Sequence, residues 1–179
     1  MQIDWRSWRR DPGYRGSQGF TLIEALVVVA ILGILAAIGP PSLDYIAVSS
    51  RTSSFASNLA ASMQLARSES ILRNTPVSVC ASVNKTTCGG NWEQGWIVLS
   101  AAGVLRSEPA LPNGWEIVSA DGANVVEIEF QPTGVGATPA PVTLLVYRGT
   151  PTAPVHKCVR VSATGTATVL TRRIDNTCS

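Results

Sequence analysis

Four cysteines and a single histidine are the side chains of this 179-residue chain with the most distinctive chemistry. Along the sequence the cysteines form two neighbouring pairs, Cys80 with Cys88 and Cys158 with Cys178. An even number of cysteines in a chain that leaves the cytoplasm favours disulfide bonds, and four cysteines allow three connectivities. Because short loops close at a smaller entropic cost than long ones, we expect the pairing that keeps both bridges local.

A zinc site formed by Cys80, Cys88, Cys158 and His156 is the alternative to two bridges. The sequence lacks the paired C-x-x-C spacing that marks most structural zinc sites. We therefore expect no metal and no cofactor, and a surface position for His156 beside the second bridge. With one histidine and scattered serines, the chain also lacks the clustered groups that acid–base or nucleophilic catalysis needs, so we expect it not to be an enzyme.

The composition excludes two further classes of protein. Apolar side chains make up 45% of the residues and charged side chains 15%, which is too apolar and too weakly charged for a disordered chain. A formal net charge of +2 excludes a strongly basic protein that coats nucleic acid.

The longest apolar run extends from Phe20 to Ile38. At about 1.5 Å per residue a helix of this length nearly crosses a hydrocarbon core of about 30 Å, so the run predicts a membrane segment. Four arginines and two aspartates precede it, and this positive flank should stay in the cytoplasm while the rest of the chain crosses the membrane. A plain secretory signal cut after Gly39 is the competing interpretation, although Pro40 follows at once and the apolar run is unusually long for such a signal.

Glu24 is the unusual residue of this run. A carboxylate at mid-bilayer costs roughly 2.5 to 3.5 kcal/mol on insertion scales, so a charge this deep in an apolar helix should have a partner or a function. The alternative is a tolerated glutamate near the end of the helix, with its carboxylate at the interface.

Pro40 and Pro41 follow the apolar run and predict a kink in the helix, because each proline lacks a backbone donor and crowds the preceding turn. Beyond them an apolar period of three to four residues predicts an amphipathic helix to about Arg73. Its apolar positions are Leu43, Ile46, Phe55, Leu59, Met63 and Ala66. We expect one long helix, residues 20–73, whose first half protrudes from the domain that covers its second half.

From Val77 onward the apolar period changes to two, which predicts short strands separated by turns rich in glycine, proline and asparagine. The predicted strands are residues 77–80, 95–99, 125–130, 142–147, 159–161 and 166–170. We therefore expect an all-β head with the amphipathic helix laid against one face.

The segment GFTLIEALVVVAILGILAAIGPP, residues 19–41, resembles the amino terminus of type IV prepilins and pseudopilins. The resemblance implies that prepilin peptidase cuts between Gly19 and Phe20 and that Phe20 is N-methylated. It also implies that Glu24 pairs with the free amine of its own or a neighbouring subunit and so sets the register of assembly. Pro41 matches the proline of the family pattern.

Four segments of the head look like the GspH/FimT branch of minor pilins and pseudopilins. They are ARSESILRN (66–74), PVSVC (76–80), WEQGWIV (92–98) and FQPTG (130–134). The resemblance implies an α+β fold of pilin type, in which the long amino-terminal helix packs on two small antiparallel sheets. The chain would then divide into a leader peptide (1–19), a transmembrane and assembly half of the helix (20–41), an amphipathic half (42–74) and a β-rich head (75–179).

The function that the resemblance implies is that of a minor type IV pilin, a structural subunit at or near the pilus tip that supports assembly. Its partners would be prepilin peptidase, other minor and major pilins, and the inner membrane before assembly. The chain would cross that membrane once, with its amino terminus cytoplasmic and its head periplasmic, before it enters the filament. A minor pseudopilin of a type II secretion system is the first alternative; a DNA-binding tip receptor for natural transformation is the second, and a secreted β-domain is the alternative outside the family.

The DNA alternative depends on five basic residues that follow Tyr147, against one acidic residue in the same stretch. They are Arg148, Lys157, Arg160, Arg172 and Arg173. Such a patch could bind phosphates in a salt-sensitive manner, or could be a solvated face or a contact with an acidic neighbouring subunit. Some FimT-type proteins bind DNA through a Gly-Arg-x-Arg motif in this region, but the matching turn here reads Gly165-Thr166-Ala167-Thr168, so the motif is absent.

Overall fold

Two compact units, Met1–Ser42 and Leu43–Ser179, make up the chain in the computed structural model. The structure describes residues 19–38, 40–134, 141–150, 156–171 and 178. Helix α1 belongs to the first unit. Most of helix α2 and the eight strands of the described chain belong to the second.

Helix α1 spans Leu22–Ile38. Thr21 precedes it, and the Thr21 Oγ1 atom accepts a hydrogen bond from the Glu24 N–H at 3.3 Å. A threonine here satisfies one of the backbone donors that the first turn of a helix leaves unpaired, so cap chemistry fixes where α1 begins. Within the described part of the chain, we find no helix with both the length and the apolar character that a membrane span requires.

Helix α2 spans Pro40–Arg73. Proline suits the first position of a helix, because the N–H that it lacks would be unpaired there. At the other end Asn74 adopts the left-handed conformation with a φ of 51°, and the Thr75 N–H returns to the Ser70 carbonyl at 3.3 Å. This is a common way for a helix to end. The sequence predicts one helix over residues 20–73, whereas the structure has two, and Gly39 between them lies outside the described residues.

One face of α2 packs on the sheets. Its buried side chains recur every three or four residues, at Thr52, Ala56, Leu59, Met63, Ala66 and Ser70. Three of the predicted apolar positions, Leu59, Met63 and Ala66, are fully buried there. The prediction is wrong for Ile46, which is 60% exposed. The apolar period therefore begins before the part of α2 that the sheets cover.

Two four-stranded antiparallel sheets form the head, as the predicted α+β fold class requires. The first has the order β3-β2-β1-β5, with β1 Val77–Ala81, β2 Trp96–Ser100, β3 Gly103–Glu108 and β5 Glu127–Phe130. The second has the order β4-β6-β7-β8, with β4 Trp115–Ser119, β6 Val142–Arg148, β7 His156–Val161 and β8 Ala167–Thr171.

The strands β3 and β4 are absent from the sequence prediction. Strand β3 is an edge strand with mostly polar or glycine residues, so it carries little apolar pattern. Strand β4 alternates between buried and exposed side chains, with Trp115, Ile117 and Ser119 buried. The predicted start of β5 at Val125 is also early, because the Val125 carbonyl accepts a hydrogen bond from the Trp92 indole at 2.6 Å and precedes the strand.

The core lies between α2 and the two sheets, and each sheet contributes one tryptophan whose indole N–H reaches a hydroxyl of the helix. Trp96 of β2 donates to Ser62 Oγ at 3.0 Å. Trp115 of β4 donates to Thr52 Oγ1 at 3.3 Å. A buried indole N–H without a partner would cost about 1–3 kcal/mol, so these two serine and threonine hydroxyls help to fix α2 on both sheets.

Arg67 joins α2 to two loops of the head. Its Nε atom donates to the Gly134 carbonyl, at 2.9 Å, in the loop that follows β5. Its Nη1 atom donates to Thr166 Oγ1, at 3.2 Å, in the turn that precedes β8. A single side chain of the helix thus holds the two loops together.

Candidate functional site

The predicted cleavage site lies directly before α1. Gly19 and Phe20 have no regular secondary structure, and the Phe20 side chain is 79% exposed. A peptide bond in an exposed segment outside regular structure is accessible to a protease. The rest of the leader, residues 1–18, lies outside the described residues. Cleavage before Phe20 and N-methylation of Phe20 stay predictions.

Glu24 lies in the first turn of α1, three residues after the cap residue Thr21. Its side chain is exposed. A carboxylate in the first turn interacts favourably with the helix dipole, which stabilises a helix by roughly 0.3–1 kcal/mol. The structure thus places the charge near the amino-terminal end of the apolar helix, in agreement with the alternative of a glutamate near a helix end. Its role in subunit pairing stays a prediction.

Helix α1 is apolar on every face. Its large apolar side chains are 45–79% exposed, from Leu22 to Leu35. A helix that packs on one partner needs a single apolar stripe, whereas one that is apolar all round needs apolar surroundings on every side. The side chains of α1 are thus suited to apolar surroundings such as lipid or other apolar helices.

The predicted kink involves Pro40 and Pro41, which are the first two residues of α2. The helical hydrogen bonding of α1 ends at Ile38. Since Gly39 lies outside the described residues, the kink stays a prediction.

The four cysteines form two disulfide bonds, Cys80 with Cys88 and Cys158 with Cys178. These are the local pairs expected from the sequence. In the described ranges no three His, Cys, Asp or Glu side chains are grouped so that they could hold a metal ion.

His156 is buried, with 6% of its surface exposed, so the expected surface position is wrong. The residue begins β7, and the strand register places it opposite Tyr147 of β6. The two ring centroids lie 5.3 Å apart. Pairing with a large aromatic residue of the neighbouring strand, which only the tertiary structure reveals, is what buries this histidine.

The second disulfide belongs to a small apolar cluster on the face of the second sheet that points away from the main core. Its members are Leu145, Tyr147, Cys158, Leu170 and Cys178. The Tyr147 hydroxyl donates to Glu116 Oε2 at 2.7 Å. Burial, this hydrogen bond and the negative charges of Glu116 and Glu93 raise the pKa of Tyr147 to about 12.

The sheet separates two of the basic residues on which the DNA alternative depends. Lys157 and Arg160 are both in β7 and three positions apart, so their side chains leave opposite faces of the sheet. Lys157 Nζ donates to Thr171 Oγ1 at 3.0 Å. Arg160 Nη2 donates to the Cys178 carbonyl at 3.2 Å.

Of the remaining basic residues, Arg148 leaves the same face of the sheet as Lys157, because Lys157 lies opposite Val146, two residues before Arg148. The Arg148 guanidinium carbon lies 4.9 Å from the centroid of the Trp115 ring, next to Arg51 of α2, which approaches the same ring to 5.9 Å. Arg172 and Arg173 lie outside the described residues. The DNA-receptor alternative thus gains no support from the geometry.

The turn at Gly165, where the sequence lacks the Gly-Arg-x-Arg motif, has a packing role. Gly165 is buried, and a Cβ atom at this position would collide with the Gly134 carbonyl. The next residue, Thr166, accepts the hydrogen bond from Arg67. Helix α2 and the loop after β5 therefore cover part of this turn.

A groove of about 840 Å³ lies beside β4, and no pattern in the sequence predicts it. It lies between a short 3₁₀ helix, Trp92–Gln94, and the segments on either side of β4. The acidic residues Glu93 and Glu116 line it, and no lysine or arginine is among its lining residues. The alternating pattern of β4 could have predicted the strand, but the groove depends on how distant segments meet.

Two family models match the sequence. Residues 56–165 match type II transport protein GspH, and residues 14–39 match the prokaryotic N-terminal methylation motif. The second match includes Gly19, Phe20 and Glu24.

Three solved structures are similar to the chain. Two are crystal forms of the type IV minor pilin FimU of Pseudomonas aeruginosa PAO1. The first is 19% identical with a TM-score of 0.55 and covers 73% of this chain and 93% of FimU. The second is 20% identical with a TM-score of 0.53 and covers 71% and 96%. The minor pseudopilin EpsH of the Vibrio cholerae type 2 secretion system is 17% identical with a TM-score of 0.45 and covers 65% and 93%.

The likeness to FimU confirms the fold in which a helix packs on two antiparallel sheets. The GspH match covers more than half of the sequence, and the methylation motif precedes it in the order expected of a pilin. The chain therefore belongs to the GspH family and is a minor pilin or pseudopilin.

Proposed function

We propose that the chain is a minor type IV pilin, a non-enzymatic structural subunit at or near the pilus tip that supports assembly of the filament. The observation that carries this proposal is helix α1, which is apolar on every face and lies within an N-terminal methylation motif. Such a helix is stable in lipid and equally stable among other apolar helices, so it can pass from the inner membrane into a filament.

Processing prepares this helix for assembly. Prepilin peptidase removes the leader, residues 1–19, and the new amino-terminal residue Phe20 is N-methylated. The amine then lies one helical turn before Glu24, and an amine and a carboxylate at this spacing neutralise each other within or between subunits. Removal of one charge would leave the other unpaired in apolar surroundings, so the pair favours one register of assembly.

The four segments of the chain have separate roles in this proposal. The leader keeps the amino terminus in the cytoplasm. Residues 20–41 anchor the chain in the inner membrane and later join the filament, and Pro40 and Pro41 kink the helix at its exit from the membrane. Residues 42–74 carry the head, and residues 75–179 present it in the periplasm and then on the pilus. Other minor and major pilins are the partners.

A minor pseudopilin of a type II secretion system is the second candidate. It is favoured by the family model, which describes a type II transport protein. The membrane helix, the processing and the head have the same roles in both candidates, and only the filament that the chain joins differs.

Mass spectrometry of sheared filaments tests the proposal. The full chain is produced in a strain that makes both a type IV pilus and a type II secretion system. The chromosomal gene for this chain is deleted from that strain. We expect an N-methylated chain that begins at Phe20, present at few copies in the pilus fraction, together with loss of piliation when the gene is deleted. Loss of secretion with normal piliation would select the pseudopilin, and a soluble chain that begins at Pro40 in the medium would contradict both.

Glu24 variants test the assembly step separately. We expect Glu24→Ala to be processed but absent from sheared pili, and Glu24→Asp to retain partial incorporation. Glu129→Ala in the head is the matched control, since it removes one carboxylate outside α1. Normal incorporation of Glu24→Ala would remove the pairing role while leaving the subunit assignment intact.

A further inference from the structure

The groove beside β4 is large enough for several residues of a peptide. Its volume of about 840 Å³ lies in the range of cavities that bind drug-sized ligands. Apolar side chains, including Trp92, Leu111 and Val125, are part of its lining. The groove lies wholly within the second unit of the chain.

Strand β4 is an edge strand, and its free edge is well defined. It pairs with β6 alone. The Gly149 N–H bonds the Gly114 carbonyl, and the Ala120 N–H bonds the Thr143 carbonyl, both at 2.8 Å. Because bonded pairs alternate along an antiparallel ladder, the backbone groups of residues 115, 117 and 119 point away from β6.

Residues 115, 117 and 119 have six backbone N–H and C=O groups. Four of the six have no hydrogen-bond partner among the described residues. Local turns occupy the Trp115 N–H, through the Pro112 carbonyl, and the Ser119 carbonyl, through the Gly122 N–H. The Trp115 carbonyl, both groups of Ile117 and the Ser119 N–H remain available. They are the donors and acceptors that an added antiparallel or parallel strand would need.

Strand β4 contacts the 3₁₀ helix Trp92–Gln94, but it lacks the lysine, proline or bulge that protects many edge strands. Natural proteins blunt such edges with lysine, proline or a bulge. Strand β4, with the sequence WEIVS, contains neither residue, and its five register pairs with β6 are continuous. The unpaired backbone groups of this edge suit a specific partner strand.

The charge of the groove indicates which peptide would fit. Glu93 and Glu116 line it without a lysine or arginine, and neither is in an ion pair with a described residue. Glu116 Oε2 accepts the hydrogen bond of the Tyr147 hydroxyl at 2.7 Å. A basic peptide would neutralise them, whereas an acidic one would be repelled.

We propose that this groove binds an extended basic segment of a partner protein, which adds as a strand to the free edge of β4. Main-chain hydrogen bonds to Ile117 and Ser119 hold the segment, and its lysine or arginine side chains reach Glu93 and Glu116. The proposal goes beyond the filament assignment and does not depend on it, because it concerns only the head.

A peptide of alternating lysine and valine, Lys-Val-Lys-Val-Lys-Val-Lys, is the probe for this site. We expect the full chain in zwitterionic detergent micelles to bind the fluorescein-labelled peptide at low salt, as measured by anisotropy. The Glu93→Gln/Glu116→Gln variant should bind at least about tenfold more weakly. The Asp44→Asn/Glu129→Gln variant loses the same charge outside the groove and should bind within about twofold of the parent. No binding by the parent, or equal weakening in the two variants, would overturn the proposal.

Methylated peptides test the strand pairing itself. One version carries N-methyl groups on every valine and the other on every lysine, so each blocks one edge of the peptide strand. We expect one version to lose binding at least about tenfold and the other to bind within about threefold of the unmodified peptide, together with slower amide exchange at Ile117 and Ser119. Loss in both versions or in neither would show that the peptide does not pair with β4.

Discussion

The backbone of Gly165 runs against the carbonyl oxygen of Gly134, so close that a Cβ atom at residue 165 would collide with that oxygen. Arg67 of α2 donates to the same oxygen. The turn before β8, the loop after β5 and the helix therefore meet at one point. A side chain at residue 165 would displace at least one of the three.

Substitution of Gly165 should be costly for this reason. We expect Gly165→Ala to lower the free energy of unfolding by about 3 kcal/mol or more, because left-handed strain adds to the collision. Gly122 is the matched control, since it has the same φ of 76° and open space where its Cβ would lie. Gly122→Ala should cost only about 1–2 kcal/mol. Equal losses in chemical denaturation, followed by tryptophan fluorescence, would contradict the contact.

The hydrogen bond from Trp96 to Ser62 should contribute measurably to stability. Ser62→Ala leaves the buried indole N–H without a partner, and we expect it to lower the free energy of unfolding by about 1–3 kcal/mol. Ser68→Ala is the control on the exposed side of α2, where the serine hydroxyl bonds only a carbonyl of its own helix. That control should change stability by less than about 0.5 kcal/mol. If the two variants unfold at the same denaturant concentration, the tryptophan does not depend on Ser62.

Tyr147 should make stability depend on pH in the alkaline range. The folded chain holds the hydroxyl proton up to a pKa of about 12, whereas the unfolded chain releases it near 10.0. Below pH 10 both states hold the proton, and the stabilisation is complete. As the pH rises from 10 towards 12, only the unfolded state ionises, so the free energy of unfolding falls.

Comparison of two phenylalanine variants isolates this effect. Tyr147→Phe should flatten the decline between pH 10 and 12, as measured by urea denaturation at fixed temperature. Tyr45 is 56% exposed, and Tyr45→Phe should retain the decline of the parent. A decline of the same slope in Tyr147→Phe would assign the alkaline destabilisation to other groups.

The two disulfides should stabilise the head to different extents. Cys158 and Cys178 are 20 residues apart in sequence, against 8 for Cys80 and Cys88. Loop-closure entropy then gives about 3.3 kcal/mol for the Cys158–Cys178 bridge and about 2.5 kcal/mol for the Cys80–Cys88 bridge. We expect replacement of the Cys158 pair by alanines to lower the denaturation midpoint more than replacement of the Cys80 pair. The reverse order would mean that packing around each bridge outweighs the entropy of its loop.

The sequence predicts most of the helical part of the head because its signals are local. Leu59 and Met63 recur at helical spacing, and the prediction that α2 ends at about Arg73 is confirmed. Asn74 adopts the left-handed conformation that a helix end favours, and asparagine tolerates it better than most residues. The prediction fails at Ile46 because apolar residues continue at helical spacing beyond the part of α2 that the sheets cover.

The strand pattern is predicted less completely. Strand β3 has few apolar residues because it lies at an edge, so its pairing with β2 has no local signature. Strand β4 does have one, in the alternation of Trp115 and Ile117 with polar or exposed neighbours.

Long-range contacts limit what the sequence predicts about the candidate sites. The burial of His156 follows from its place opposite Tyr147, and the separation of Lys157 from Arg160 follows from their places in one strand. The separation of Lys157 from Arg160 would follow from the sequence if the predicted strand included residues 156 and 157. The groove beside β4 could not, since its walls are separated by many residues along the chain.

The order of strands in the two sheets has a consequence for how the head is made. The chain places β4 in the second sheet before β5 returns to complete the first, so neither sheet is encoded by an uninterrupted stretch of residues. A chain emerging from the ribosome or a translocon therefore completes the first layer while β4 of the second, already made, still lacks its partner β6. Truncation between β4 and β5 should leave both layers open at once, and the head should lose its structure in a single all-or-none step.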